Sequence, residues 1–212
     1  MARTVSLRCR CGAVRGSAEH VTPAADSRAI CYCDDCQIYA LHLGTPGVLD
    51  ERGGTDGCIF APAQIKLSAG QEHLRCVRLS PKGLHRFYAG CCNTPLGNSV
   101  NASLPVVILV HACMDHAADG RTRDEDLGPP RMRMMGRYAA GGVPKGAHPK
   151  VPFGKFLPAF ASHLVRTYLG GRAKPSPFFD ASGRPVIEPR VIDRAERETL
   201  RARVHAAANL GA

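Results

Sequence analysis

Seven cysteines fall in three short stretches: CRCG at 9–12, CYCDDC at 31–36 and GCCNTP at 90–95. Thiols gathered this way restrict the folds open to the chain, because the three stretches must be brought together on one or two centres. Thiolates suit Zn2+, which is borderline-soft and accepts tetrahedral sulfur coordination. Two ligands drawn from one short turn close a small loop at little entropic cost. The run C-x-C-x-x-C offers three ligands, Cys31, Cys33 and Cys36, from a single knuckle. No fourth cysteine lies nearby in sequence, and Tyr32 is a poor zinc ligand. One coordination position is left for another protein group, as in a structural site, or for water or substrate, as in a catalytic one. Cys9 and Cys11 with Cys91 and Cys92 can make a closed four-ligand site. The doublet is awkward, since adjacent strand residues point to opposite faces. Gly90 and a turn at Asn93-Thr94-Pro95 are expected to supply the necessary kink.

The remaining thiols read differently. Cys58 and Cys76 lie in strand-like runs, and Cys113 follows the apolar run LPVVILV, so all three are expected as small buried apolar residues. A redox role for Cys33 and Cys36 is disfavoured, because no strand–helix–strand pattern surrounds them. His42, His111, His116 and His163 are expected as ordinary surface or core residues. Asp34 and Asp35 sit inside the knuckle. They read either as solvated turn residues or as groups that support a ligand or move a proton beside the open position.

The 212 residues are 44% hydrophobic and 22% charged, the balance of ordinary globular material. No apolar run is long enough to span a bilayer. The N-terminal MARTVSLRCRCG lacks the apolar stretch of an export signal, which leads to the expectation of a cytoplasmic protein with reduced thiols. The formal net charge of +10 favours a small anionic partner such as a thiol bearing carboxylates. The basic residues are scattered and no nucleic-acid recognition motif is present, so a nucleic-acid face is disfavoured.

Short segments, Gly/Pro turns and a spacing near ten residues predict a mainly β domain over 4–115. Strands are expected at 5–9, 13–19 and 27–33, then in GCIFAP, QIKLSAG, LRCVRLS, GLHRFYAG and LPVVILVHACM, with a short helix over 35–44. A C-terminal extension, 116–212, follows, packed on the same domain. Residues 116–130 and 131–150 read as loop and irregular chain. A helix is expected over 154–171, a hairpin over 178–192 with its turn at 180–183, and a last helix over 193–211. In that helix Asp193 and Glu196 are spaced as a capping box.

The order CRCG, CYCDDC, then a cysteine cluster running into TP resembles the glutathione-dependent formaldehyde-activating enzyme family, which shares an Mss4-like zinc-binding β fold (a β-tent) with centromere protein V. The likeness covers roughly residues 5–115. It implies that Cys9 and Cys11 belong to a structural zinc site and that Cys31, Cys33 and Cys36 make a catalytic one. Thr94 and Pro95 match the end of the family's CxxCGTP, which places Cys92 at its second cysteine. The first then falls on Ala89, so Cys91 stands in from a displaced position, or the site takes another ligand or is lost. Asn93 replaces the usual glycine and Tyr32 the usual histidine. The resemblance implies one or two zinc ions per chain. It also implies a carbon–sulfur lyase-like activity on an adduct of a glutathione-type thiol and an aldehyde. The rival expectation is a non-catalytic, zinc-stabilised module that binds a protein or nucleic acid. The residue that discriminates is the fourth ligand at Cys31, Cys33 and Cys36.

Overall fold

Short strands, ten of them among the described residues of the first 115, fold as two β-sheets. The computed structural model describes residues 2–23 and 28–209. One sheet has four strands in the order β10 (Met114–Asp115), β1 (Arg3–Arg8), β2 (Arg15–Val21) and β5 (Ile65–Ala69). The other has eight: β11 (Met132–Met134), β3 (Arg28–Cys31), β4 (Thr55–Phe60), β9 (Val107–Val110), β8 (Thr94–Ser99), β7 (His85–Ala89), β6 (Leu74–Arg78) and β12 (Arg190–Val191). Only the two edge strands of the larger sheet, β11 and β12, run parallel to their neighbours. The chain is mainly β, as its pattern predicts.

The period of two decides what lies between the sheets. Val5, Leu7, Ala18 and Ile65 of the smaller sheet meet Cys58, Phe60, Phe87 and Leu109 of the larger one in one buried cluster. Phe178, from the C-terminal stretch, stacks on Phe87 with ring centroids 4.4 Å apart. Cys76 and Cys113 are buried in the same cluster, and burial pushes both thiols up to about 12. These are the small apolar cysteines that the sequence suggests.

The opposite face of the larger sheet carries the helices. α1 (Asp34–His42) lays Ile38 and Tyr39 over this face, with Leu43 just beyond its end. α4 (Arg194–Asn209) adds Leu200 and Val204 to the same cluster, which also holds Val77 and Leu79. Val77 pairs with Arg86, and Arg86 with Asn98, so Arg86 and Asn98 project to this side, beneath α1. Asp193 caps α4 through its carboxylate, 2.7 Å from the Glu196 amide. The Glu196 carboxylate is taken by His42, at 2.6 Å, rather than turned back to complete the box.

Several segments differ from the expectation. Thr94-Pro95 opens strand β8 rather than ending a turn. Pro95 is tolerated there because it sits beside a register shift between Phe87 and Tyr88, where a ladder donor is dispensable. Within 116–130 a short helix forms, α2 (Arg123–Leu127), held by a Thr122–Glu125 capping box. The segment 131–150 is not wholly irregular, since Met132–Met134 pairs with β3. The 178–192 hairpin shrinks to a single Phe179–Pro185 bridge, and Arg190–Val191 joins β6 instead. The helix over 154–171 forms as α3 (Phe153–Leu169). The first residue of the expected strand, Ser27, and the end of the last helix, 210–211, lie outside the described residues. Among the described residues, no helix is long and apolar enough to cross a membrane.

Candidate metal centres

Two groups of cysteine sulfurs converge. All ten cysteines are free thiols. The first group joins the β1–β2 turn to the β7–β8 turn, and so ties the two sheets together. Cys9 directly follows β1, and there its carbonyl accepts the Gly12 amide at 2.8 Å and its sulfur accepts the Val14 amide at 3.2 Å. Gly12 has a φ of +80°, which this tight corner requires and which a side chain resists. Cys91 and Cys92 lie in the β7–β8 turn, off the strand ladder, so the opposite-face problem of a doublet does not arise. The left-handed residue of that turn is Asn93, at a φ of +57°. Asparagine tolerates this region and its side-chain amide adds a bond to the Leu43 carbonyl, 3.1 Å away.

The sulfurs of Cys9, Cys11, Cys91 and Cys92 all lie within 4.8 Å of one another. Cys9 is 3.5 Å from Cys11 and 3.8 Å from Cys91, Cys11 is 3.3 Å from Cys91, and Cys91 is 3.9 Å from Cys92. Four sulfurs bound tetrahedrally at ~2.3 Å stand about 3.8 Å apart, so the four residues fit a metal ion. Both members of the doublet, Cys91 and Cys92, bring their sulfurs into the group. Burial pushes the Cys92 thiol up, but the Thr94 hydroxyl, 3.1 Å away, and backbone amides around it outweigh this and bring it to about 6. Burial and the thiols of Cys11, Cys9 and Cys92 push Cys91 up to about 12. One thiolate is thus favoured even before a metal enters.

The left-handed turn gives a direct test. Asn93→Gly keeps the backbone angle and loses one hydrogen bond, a change of about 1 kcal/mol. Asn93→Val forces a β-branched residue into the left-handed region at an added cost of about 1–2 kcal/mol. Thermal melts of the two metal-loaded variants should rank Gly above Val. Equal melts would mean that the turn relaxes without straining the doublet.

The second group is Cys31, Cys33 and Cys36, again with all sulfurs within 4.8 Å. Cys31 ends β3, Cys33 caps α1 in an extended conformation, and Cys36 lies in the first turn of α1. The helix amides of Cys36 and Gln37 both point at the Cys33 carbonyl, 3.1 and 3.3 Å away. The Gln37 side chain pins the knuckle from within by donating to the carbonyls of Tyr32 and Tyr138, at 2.8 and 3.0 Å. Tyr32 is buried and turns its hydroxyl away to Asp50 and Arg133, both 3.3 Å distant. Among the described residues, no histidine, cysteine or acid brings a fourth ligand atom into this group. The four histidines singled out above pair elsewhere: His42 with Glu196, His111 with the Asp56 carbonyl, His116 with Asp126 and His163 with Thr167.

The charge around this group is unlike that of the first. Hydrogen bonds from Cys31 and Cys33, with the Arg86 guanidinium, draw the Cys36 thiol well below its usual range. Hydrogen bonding to Cys31 and Cys36 pushes Cys33 well up. Arg86 is 3% exposed and lies over the Tyr39 ring at 5.1 Å. Among the described residues no carboxylate forms an ion pair with it. Asp34 and Asp35 occupy the first turn of α1, where negative charge is stabilised by the positive end of the helix dipole. Both are held by α4: Asp34 lies 3.4 Å from Arg201, and Asp35 3.1 Å from Arg197. Asp34 also accepts the Asp35 amide through its other oxygen, at 3.0 Å. Arg86, Arg197 and Arg201 were not singled out by sequence reasoning. Arg86 alternates with Phe87 as any solvent-facing strand residue would, and only the overlay of α1 buries it.

Among curated proteins, none matches the chain. The model of the family of unknown function DUF6151 matches residues 1–190, and the chain belongs to that family.

Proposed function

We propose that this chain is a zinc-dependent, carbon–sulfur lyase-like enzyme acting on the adduct of a glutathione-type thiol and an aldehyde at Cys31, Cys33 and Cys36. On this reading the four-cysteine group is its structural zinc site, and the two sheets form an Mss4-like β-tent. The observation that carries the reading is the buried Arg86. A guanidinium removed from water costs several kcal/mol unless a negative group faces it, and the group it faces is the sulfur cluster. Three thiolates with one divalent ion sum to −1, which Arg86 neutralises while leaving one coordination position open.

Bound there, Zn2+ would supply Lewis acidity that favours the thiolate form of a thiol taking the open position. The residues of the chain do the rest. The N-terminus of α1 and Arg86 hold the Cys36 sulfur anionic. In the adding direction, the substrate sulfur forms a C–S bond as the carbonyl π pair moves to oxygen, and the thiol proton ends on that oxygen; cleavage is the reverse. Asp35 is assigned the proton, because among the described residues one of its carboxylate oxygens is left without a partner. Both oxygens of Asp34 are engaged. Arg197 holds Asp35 in place.

Cobalt replacement tests this reading. Glutathione titrated into the cobalt-loaded protein should raise thiolate-to-cobalt absorption saturably, and Cys33→Ser should abolish the rise. A spectrum that no thiol alters would defeat it. A second reading, a zinc-stabilised binding module, is favoured by α3. That helix leaves Phe153, Leu157, Val165, Tyr168 and Leu169 exposed along its length, the composition of a protein-docking face. Two metal ions per chain with no response to thiol would favour it.

A further inference from the structure

Four buried polar atoms with no hydrogen-bond partner belong to residues that line one small cavity beside Cys36. They are Nε and Nη1 of Arg86, Oγ1 of Thr55 and Oδ1 of Asn98. Thr55, Arg86, Asn98, Cys36 and Tyr39 all line that cavity. The residues come from separate strands, β4, β7 and β8, and α1 closes the space from above. Arg86 and Asn98 are directly paired across β7 and β8 and are 3% and 5% exposed. Cys31 is paired with Thr55 across β3 and β4, so the cavity lies between the thiolate knuckle and the sheet.

Buried polar atoms are rarely left unpaired, because each costs about 1–3 kcal/mol. Four in one place describe a ligand by its complement. The cavity has about 10 Å³ of room for the centre of a water-sized sphere, enough for one oxygen atom and little more. The two guanidinium N–H groups require an acceptor. Asn98 Oδ1 requires a donor, and the Thr55 hydroxyl serves as either. A carbonyl or carboxylate oxygen accepts but cannot donate to Asn98. A hydroxyl oxygen does both.

We infer that this cavity is the hydroxyl subsite of the thiolate centre. It would hold a water in the free protein and receive the hydroxyl of a thiol–aldehyde adduct, S–C–OH, when substrate is bound. The inference rests on the thiol-adduct reading above and adds its specificity determinants, Thr55, Arg86 and Asn98. A subsite for one oxygen, lined by Cys36, lies beside the centre that would take the substrate sulfur. It recognises the adduct and ignores the bare thiol.

The test uses the zinc-loaded full chain, with glutathione alone and glutathione equilibrated with formaldehyde as probes. Thr55→Val, which keeps shape and removes the hydroxyl, and Asn98→Leu are compared with the wild type by calorimetry. Retention of metal checks that each has folded. Both variants should bind glutathione within about twofold of wild type and lose tenfold or more in affinity for the adduct. Glutathione binding with an unchanged adduct-to-thiol ratio in both variants overturns the subsite alone. A wild type that binds no thiol overturns the thiol-adduct reading and the subsite with it. A second readout needs no variant. A high-resolution crystal structure should show one ordered water bonded to Arg86, Thr55 and Asn98. An empty cavity overturns the inference.

Discussion

Cys9→Ser is expected to lose one of two bound zinc ions and most of the stability of the fold. The four-cysteine group joins residues 9–11 to residues 91–92, and through them the four-stranded to the eight-stranded sheet. Without the ion, the two turns are held together by Arg10, whose amide reaches the Thr94 hydroxyl at 2.9 Å and whose guanidinium reaches the Cys92 carbonyl at 3.1 Å. A structural zinc contributes about 10–16 kcal/mol of apparent binding free energy to the folded form. A domain of ordinary stability holds only about 5–15 kcal/mol in total. Removing one of four ligands is therefore expected to cost about 5 kcal/mol or more, by comparison of those two ranges. Urea denaturation and elemental analysis of wild type, Cys9→Ser and Cys33→Ser check this together. Cys33→Ser should also lose one ion, but with a smaller fall in stability, because Gln37 and the α1–α4 packing brace the knuckle independently of metal. Equal losses in the two variants would mean that both centres are structural. No zinc in the wild type would mean that neither group binds it.

Much of this was legible in the sequence, for identifiable reasons. Strand β1, RTVSLR, alternates cleanly, because one face meets the second sheet. The knuckle follows from spacing alone, since CYCDDC can hardly avoid placing its sulfurs on one side of a turn, whereas the fold decides that Cys9 and Cys11 meet Cys91 and Cys92. The doublet at 91–92 was harder. TPLGNS contains a proline, a glycine and an asparagine and reads as a turn, yet it is a central strand, β8, because a register shift absorbs the proline. Residues 132–134 carry no alternation long enough to mark a strand and become one only because the sheet offers them an edge, while 190–191, expected in a local hairpin, take the other edge beside β6 instead. Arg86, Thr55 and Asn98 left no mark in the sequence. A polar residue on the outer face of a strand signals solvent, and here a helix from elsewhere in the chain covers that face.

Arg86→Met is expected to empty the knuckle while leaving the four-cysteine group loaded. The guanidinium faces Cys36 and is otherwise cut off from water. Methionine replaces its length without its charge, so three thiolates and a divalent ion would be left at −1 with no buried counter-charge. Breaking a buried pair from one side costs about 3–5 kcal/mol. Here the loss should fall on metal affinity, weakening it by about a hundredfold or more. Competition with a chromophoric chelator on the full chain measures this, with the four-cysteine ion as an internal standard. The pairing itself is tested by the double variant Cys36→Ala/Arg86→Met. If the arginine is there to face a thiolate, removing both should cost less in urea stability than the sum of the single changes. Strict additivity, with metal affinity unchanged in Arg86→Met, would mean that the sulfurs are neutral thiols. The central support for a thiolate centre would then be gone, because a buried cation with no anion beside it would have to be stabilised by the sheet alone.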